Sequence, residues 1–194
     1  GLPSFQGGMA GFLSYDLGWY LEDLPNVAKK DIPFEDWILG LYDLVLAFDH
    51  TQEKSWIFSS GFPYLDDRRL EHAKARIYWL KGFLKDENPA PLPEPKVYAK
   101  EETITSTLSK EAYLETVQKT IDYIYAGDIF EANMTQRFKA PFDKQEAYPL
   151  YQRLRKVNAA PFAAFVNFDE TVLASASPER FIQVHDKKVE TRPI

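Results

Sequence analysis

The fold is decided in the last part of the chain, residues 161–194, which read PFAAFVNFDETVLASASPERFIQVHDKKVETRPI. Short segments of β-branched and aromatic residues alternate there with polar pairs, and this pattern is typical of strands joined by tight turns. Strands that follow one another through such turns pair antiparallel. The predicted strands cover 161–168, 171–175, 181–184 and 187–191, with turns at Asp169-Glu170 and His185-Asp186.

The first half of the chain adds a hairpin and a helix. An apolar run over 41–48 predicts a buried strand, residues 56–60 its partner, and the polar residues 49–55 the loop between them. Residues 67–84 predict an amphipathic helix that packs on this sheet, because apolar side chains recur there every three or four residues. Those side chains are Leu70, Ala73, Ile77, Leu80 and Leu84.

A second helix and a further strand follow. Ser109 is a suitable N-cap, Glu111 suits the positive end of the helix dipole, and Gly127 is suited to end the helix in a left-handed conformation. From 130 to 138 apolar and polar residues alternate with a period of two, which predicts the clearest strand of the chain. Helices inserted between groups of antiparallel strands predict the α+β class, with antiparallel sheets flanked by helices, rather than a doubly wound parallel sheet.

A proline-rich segment, NPAPLPEP at 88–95, separates the two halves. Its four prolines favour extended backbone and interrupt both helices and sheet ladders. We therefore predict one domain over 1–95 and a second over 96–194. The pattern leaves open whether the segment is a linker or a packed crossover.

Composition excludes several classes of protein. The chain of 194 residues carries a net charge of −6, so it lacks the basic surface that nucleic acid requires. It has no cysteine, which excludes disulfides, thiolate zinc sites and cysteine nucleophiles. Its apolar runs are shorter than the roughly 20 residues of a membrane helix. We expect no membrane partner and a cytoplasmic protein, although a segment before Gly1 is left open.

Glu179 is the first candidate for chemistry. Pro178 before it has no amide hydrogen, so the chain should leave the ladder there and turn the carboxylate away from the alternation of the strand. From chemistry alone, an exposed ion pair with Arg180 is the simpler interpretation of Glu179. Arg192 precedes a proline at a strand end and could meet a carboxylate. Pairing with Glu190 is the simpler interpretation, and we do not assign Arg192 as a ligand.

The remaining polar motifs give weaker signals. The glycines Gly7, Gly8 and Gly11 lack the Lys-Ser or Lys-Thr of a phosphate-binding loop and indicate close backbone packing. The three histidines lack the spacing of a metal pair, so no metal ligand is predicted and solvated side chains are expected. A polar row beside the end of the second helix could cover a ligand or another helix; it consists of Asp128, Asn133, Gln136 and Arg137.

Four blocks of this sequence resemble the component I proteins that bind chorismate. They are GGMAGFLSYDL at 7–17, AGDIFEANMTQRF at 126–138, SASPERF at 175–181 and VETRPI at 189–194, and they fall in the family's order. The resemblance covers nearly the whole chain and is closer to the aminodeoxychorismate synthases than to the anthranilate synthases. Chains of this family are longer at both ends, so the resemblance implies an internal fragment of the anthranilate synthase component I-like fold.

The resemblance also implies roles for particular residues. Glu179 matches the family's Ser-Pro-Glu glutamate, which lies in the chorismate pocket, and is therefore predicted to be catalytic. The segment NAAPFAAF at 158–165 resembles a block that lines a tryptophan pocket, with Pro161, Phe162 and Ala163 at matching positions. Alanines replace larger residues in this block, so the pocket would be altered, and from the residues alone a loop leading into a core strand is the simpler interpretation.

The resemblance finally implies an enzyme. Its reaction would be the amination of chorismate with ammonia to 4-amino-4-deoxychorismate for folate synthesis, with ammonia supplied by a glutamine amidotransferase subunit. The Mg²⁺ ligands, the other chorismate ligands and a deciding residue, lysine in this subfamily and alanine in anthranilate synthases, would lie beyond Ile194. The fragment alone is expected to be inactive. Anthranilate synthase component I is one alternative, and a non-catalytic module that binds tryptophan or docks the glutaminase is another.

Overall fold

The computed structural model describes residues 1–25, 32, 34–85 and 103–194. The chain divides into two compact units, Gly1–Pro91 and Leu92–Ile194. The proline-rich segment on which the predicted domain boundary rests lies outside the described residues, and the two predicted domains stay a prediction.

Within the described residues, the first unit contains two antiparallel two-stranded ladders and one α-helix. Strand β1 pairs with β2, and β3 pairs with β4. A short 3-10 helix at Tyr15–Tyr20 follows β1. The elements are β1 (Gly8–Leu13), β2 (Trp37–Tyr42), β3 (Leu44–Asp49), β4 (Lys54–Ser59) and α1 (Arg68–Phe83).

The second unit contains three further antiparallel ladders and two helices. Strand β5 pairs with β6, β7 with β8, and β9 with β10. Its elements are β5 (Thr105–Ser106), α2 (Lys110–Ala126), β6 (Phe138–Lys139), α3 (Ala147–Val157), β7 (Phe162–Phe168), β8 (Thr171–Ser177), β9 (Arg180–His185) and β10 (Lys188–Arg192). Antiparallel sheets with flanking helices confirm the predicted α+β class.

The glycines at the start of the chain serve backbone packing. A Cβ added at Gly11 would lie 1.9 Å from the carbonyl oxygen of Ile38 on β2, so only glycine allows this approach of the two strands. Gly7 and Gly8 have φ angles of 136° and 121°, which L side chains rarely adopt. The interpretation of close-packed backbone is confirmed at Gly7 and Gly11, whereas a Cβ at Gly8 would meet no atom within 4 Å and only its φ angle favours glycine.

The prediction of one strand over 41–48 is wrong. Strand β2 ends at Tyr42 and belongs to the ladder with β1, whereas β3 begins at Leu44 and pairs with β4. Asp43 lies at the break, and its carboxylate binds Arg76 of α1. An apolar run does not show where a chain leaves one ladder for the next. The predicted partner strand and helix α1 are present, with Ile77 half-buried.

Helix α2 begins and ends as its sequence predicts. The Ser109 hydroxyl accepts a hydrogen bond of 3.1 Å from the backbone N–H of Ala112. Gly127 adopts the left-handed conformation with φ of 83°, and the backbone N–H of Asp128 donates to the carbonyl of Tyr123 at 3.0 Å. The last turn therefore closes as a Schellman motif, which satisfies carbonyls that the helix leaves free.

The strand predicted over 130–138 is wrong except at its end. Phe138 pairs with Ser106 in the two-residue ladder of β5 and β6, and 131–137 form no regular structure. The Ser106 hydroxyl instead donates to Gln136 Oε1 at 2.9 Å, and the backbone N–H of Arg137 donates to Thr107 Oγ1 at 3.1 Å. Alternation indicates which side chains could share a face, but a strand also needs a partner backbone.

The two C-terminal hairpins follow the prediction closely. The β7–β8 ladder runs without irregularity, and its turn contains Asp169 with φ of 56°. The turn of β9–β10 is one residue later than predicted, because Asp186 and Lys187 carry the positive φ angles of 47° and 65°. Positive φ at both central residues is the geometry of the tight hairpin turn that suits the twist of the strands.

The clearest core lies where helix α3, which the sequence analysis did not predict, packs on β7 and β8. Tyr151 is 7% exposed there and is the one buried aromatic side chain in the described ranges. Its ring centroid lies 5.3 Å from that of Phe165, and Tyr148 lies 5.1 Å from the same ring. This aromatic group fixes the hairpin that leads to Pro178 and Glu179.

Candidate functional site

The chain turns a corner between β8 and β9. Strand β8 ends at Ser177, Pro178 and Glu179 lie outside either strand, and β9 begins at Arg180. The Ser177 hydroxyl donates to the carbonyl oxygen of Glu179 at 3.2 Å, which holds the corner from one side. A proline without an amide hydrogen suits this break in the ladder.

The Glu179 carboxylate is exposed and stands apart from its neighbours. Its side chain forms no hydrogen bond or ion pair within the part of the chain that the structure describes. In particular, Glu179 does not pair with Arg180, which binds Glu190 instead. The catalytic role of Glu179 remains a prediction, and what the structure adds is a carboxylate that has no charged partner among the described residues.

Three charged side chains next to this corner form an Arg–Glu–Arg cluster, defined by Arg180, Glu190 and Arg192. Arg180 Nη1 lies 2.7 Å and Arg192 Nε 2.9 Å from the same oxygen, Oε1 of Glu190. Arg180 Nη1 also donates to Gln183 Oε1. The predicted pairing of Arg192 with Glu190 is confirmed, and each guanidinium keeps further N–H donors.

A β-bulge brings the cluster together. Glu190 pairs with Gln183, but Arg192 pairs with Arg180, so two residues of β9 oppose the single residue Thr191 of β10. The Thr191 hydroxyl closes the bulge with a bond of 2.7 Å to the carbonyl of Phe181. Residues three apart on a regular strand face opposite sides, so the bulge turns Arg180 onto the face of Glu190.

The residues predicted to line a tryptophan pocket lie at the start of β7. Pro161 is exposed, whereas Phe162 and Ala163 are half-buried. The Arg180 guanidinium carbon lies 5.3 Å from the centre of the Phe162 ring, a cation–π contact that links β7 to β9. The pocket itself stays a prediction, while the strand that Phe162 begins agrees with the simpler interpretation.

Two open cavities are lined by described residues that do not belong to this corner, and no motif of the sequence indicates either of them. One of about 460 Å³ is bounded by the 3-10 helix at Lys144–Glu146, α3 and β8, and is mostly apolar. Another of about 510 Å³ adjoins the start of α1, with polar residues that include Ser59, Asp66 and Arg69. Neither is lined by a residue predicted to be catalytic or to bind a ligand, and the second includes Leu70 and Ala73 of the predicted apolar face of α1.

No metal centre is assigned. Among the residues that the structure describes, no group of three His, Cys, Asp or Glu side chains could hold a metal ion. The resemblance places the Mg²⁺ ligands beyond Ile194, so the Mg²⁺ site stays a prediction. His50 and His185 are exposed as expected, whereas His72 is half-buried with its ring 5.0 Å from Tyr64.

The remaining predicted residues are structural. Gln136 and Arg137 join their segment to 106–107, and Asp128 closes the end of α2 through its backbone. Asn133 is exposed. In the described part of the chain, no helix is long and apolar enough to cross a membrane.

The described residues form an α+β fold of antiparallel ladders with flanking helices. At the proline break between β8 and β9, this fold places a carboxylate that has no side-chain partner among the described residues, next to the Arg–Glu–Arg cluster. The family model for chorismate binding enzymes matches residues 2–194. The chain belongs to this family.

Curated relatives agree with the family assignment. Over its whole length the chain is 35% identical to anthranilate synthase component 1 of Thermus thermophilus, of which it covers 40%. It is also 35% identical to aminodeoxychorismate synthase component 1 of Klebsiella aerogenes, with 98% of this chain and 38% of that protein covered. The chain thus spans about two fifths of the length of these relatives.

A solved structure supports the fold. Anthranilate synthase component I from Streptococcus pneumoniae superposes with a TM-score of 0.78, over 97% of this chain and 42% of that chain. The two sequences are 23% identical. The predicted anthranilate synthase component I-like fold is confirmed.

Proposed function

We propose that the protein containing this chain aminates chorismate with ammonia, giving 4-amino-4-deoxychorismate for folate synthesis. Membership of the chorismate binding enzymes supports the substrate. The observation that carries the chemistry is the unpaired Glu179 carboxylate at the Pro178 corner, where the sequence matches the family's Ser-Pro-Glu motif.

Anthranilate synthesis is the second candidate, because the Thermus thermophilus relative and the Klebsiella aerogenes relative are equally similar to this chain at 35% identity. The blocks SPERF and ETRPI favour the aminodeoxychorismate product. The residue that follows Ile194 in the gene would distinguish the two products, since lysine there favours 4-amino-4-deoxychorismate and alanine favours anthranilate.

Glu179 would act as a general acid and then as a general base in this reaction. The ring hydroxyl of chorismate leaves as water if a carboxylic acid donates a proton to it, and the resulting carboxylate can then accept a proton from the attacking amine.

Two further components belong to the proposal. The relatives are named as component 1, which supports a second component, and we propose a glutamine amidotransferase that supplies ammonia. We also propose a requirement for Mg²⁺, with ligands that lie outside these 194 residues.

The test uses the full-length protein with chorismate, magnesium and ammonium, and identifies the product by mass spectrometry. Glu179→Gln should lower kcat by about 10²- to 10⁴-fold, because it removes the group that exchanges protons while keeping its shape. Glu170→Gln is the matched control, since Glu170 is an exposed carboxylate in the β7–β8 turn. A fully active Glu179→Gln would remove the catalytic assignment, and anthranilate as the product would favour the second candidate.

A further inference from the structure

The side chain of Arg180 is held more firmly than its neighbour Glu179. It is 27% exposed, its Nη1 bonds to both Glu190 and Gln183, and its guanidinium carbon lies over the Phe162 ring. Glu179, by contrast, has no side-chain partner within the described residues. The chain thus places Arg180, whose side chain is held by several contacts, directly after Glu179, whose side chain has no partner among the described residues.

The anchor acts across three strands. Phe162 belongs to β7, Arg180 begins β9 and Glu190 belongs to β10, so one guanidinium joins the start of β9 to its partner strand β10 and to the neighbouring β7–β8 hairpin. Ser177 holds the other flank of the corner through its bond to the Glu179 carbonyl. The backbone is therefore held on both sides of Glu179, although the Glu179 side chain has no partner among the described residues.

We propose that Arg180 and Glu190 are positioning residues that act through the backbone of Glu179. The inference rests on the proposed function for its catalytic consequence. Arg180 and Glu190 hold the Pro178–Glu179 corner in one conformation, so that the carboxylate meets the substrate in a constant position. Arg192 binds the same oxygen of Glu190, and among the described residues its side chain pairs with Glu190 alone, so we expect it to contribute to the cluster without positioning Glu179.

The bulge of β9 supports a specific role for this pair. In a regular ladder with Glu190 opposite Gln183, Arg192 would lie opposite Phe181, and Arg180 would face the other side. The extra residue of β9 is what aligns Arg180 with Glu190. Bulges frequently re-aim side chains next to functional sites.

The kinetic experiment compares variants of the full-length protein. Arg180→Gln and Glu190→Gln should each lower kcat by about 10- to 100-fold with little change in the KM for chorismate, since a small misplacement of a reacting group costs that much. The exchanged pair Arg180→Glu with Glu190→Arg should recover most of kcat. Arg192→Gln, the matched control, should stay near the wild-type rate.

A structural experiment separates this inference from the proposed reaction. Amide hydrogen exchange at 179–181, measured without substrate, should be about tenfold faster in Glu190→Gln than in the wild type or in Arg192→Gln, because the anchor is weakened. If exchange is faster in Glu190→Gln but the wild type does not turn over chorismate, the positioning role of Arg180 and Glu190 is supported and the proposed reaction is contradicted.

Three results would overturn the inference. They are unchanged exchange and kcat in Glu190→Gln, equal losses in Arg192→Gln, or no recovery in the exchanged pair. Should Arg180→Gln fail to fold, Glu190→Gln decides alone, because it keeps the size of the side chain and an acceptor oxygen.

Discussion

At the scale of single residues, Asp43 shows how one charge links separate elements. It lies between β2 and β3, and its carboxylate accepts two hydrogen bonds from Arg76 of α1, at 2.8 Å and 3.0 Å. The same guanidinium lies over the ring of Trp79. The hydrogen bonds from Arg76 are the main reason that the pKa of Asp43 lies below its ordinary value, and they raise the pKa of Arg76.

The lowered pKa predicts a pH dependence of stability. A carboxyl group that is more acidic in the folded state contributes stability above its ordinary pKa of about 4, and this is lost as the pH falls through the lower folded value. Asp43→Asn should reduce the free energy of unfolding by about 1 kcal/mol at pH 7, because a charge-assisted pair is replaced by a neutral one that is partly exposed to water.

Urea unfolding at pH 7 and at successively lower pH values measures this difference. The gap between wild type and Asp43→Asn should narrow as the pH falls below the ordinary pKa of about 4, and it should close once the pH is below the lowered pKa of the folded state. Asp23→Asn, at an exposed position, is the control and should change little. A gap that persists unchanged at low pH would show that the pair does not account for the effect.

At the scale of elements, helix α2 is specified locally at both ends. Ser109 accepts from the backbone of Ala112, and Gly127 supplies the left-handed residue after the last turn. Both features were predicted because caps depend on contacts within a few residues. Strand 130–138 was predicted wrongly for the opposite reason, since ladder formation depends on a distant partner.

The cap of α2 provides a stability prediction. Ser109→Ala should lower the free energy of unfolding by about 1 kcal/mol, because the N–H of Ala112 loses its acceptor. Ser109→Asp should retain most of the stability, since a carboxylate can cap the helix and also suits its dipole. Circular dichroism during urea unfolding measures both variants, and equal stability of Ser109→Ala and wild type would contradict the capping role.

At the scale of the whole molecule, burial is low in both units. Large side chains such as Met9, Trp37, Phe130 and Phe181 are from 60% to 90% exposed. Within the described ranges, the core around Tyr151 is the best formed. The chain also spans only about two fifths of the length of its curated relatives.

The isolated chain of 194 residues is therefore predicted to bind and turn over no chorismate, because the proposed reaction requires groups that these residues do not supply. The assay is mass spectrometry after incubation with chorismate, magnesium and ammonium, and circular dichroism first establishes that the chain is folded. The full-length protein is the positive control. Product from the isolated chain would contradict the prediction, and heat on titration with tryptophan would favour the binding-module alternative.

Much of the fold follows from local sequence. Helices α1 and α2 and the C-terminal hairpins were predicted because side-chain periodicity, caps and turn residues act over a few positions. Strand β1 and helix α3 were not predicted, and the break at Asp43 was missed. Each of these depends on residues distant in the chain: Ile38 for β1, the hairpin of β7 and β8 for α3, and Arg76 for Asp43.

The candidate site likewise has features that local sequence determines and features that depend on distant residues. The sequence by itself determined the corner, because a proline cannot donate to a ladder and so separates Ser177 from Arg180 whatever surrounds it. Only the tertiary structure decided the partners of the charges. A bulge in β9 joined Arg180 to Glu190 and left Glu179 without a side-chain partner among the described residues, since the register between two strands depends on contacts that neither strand specifies alone.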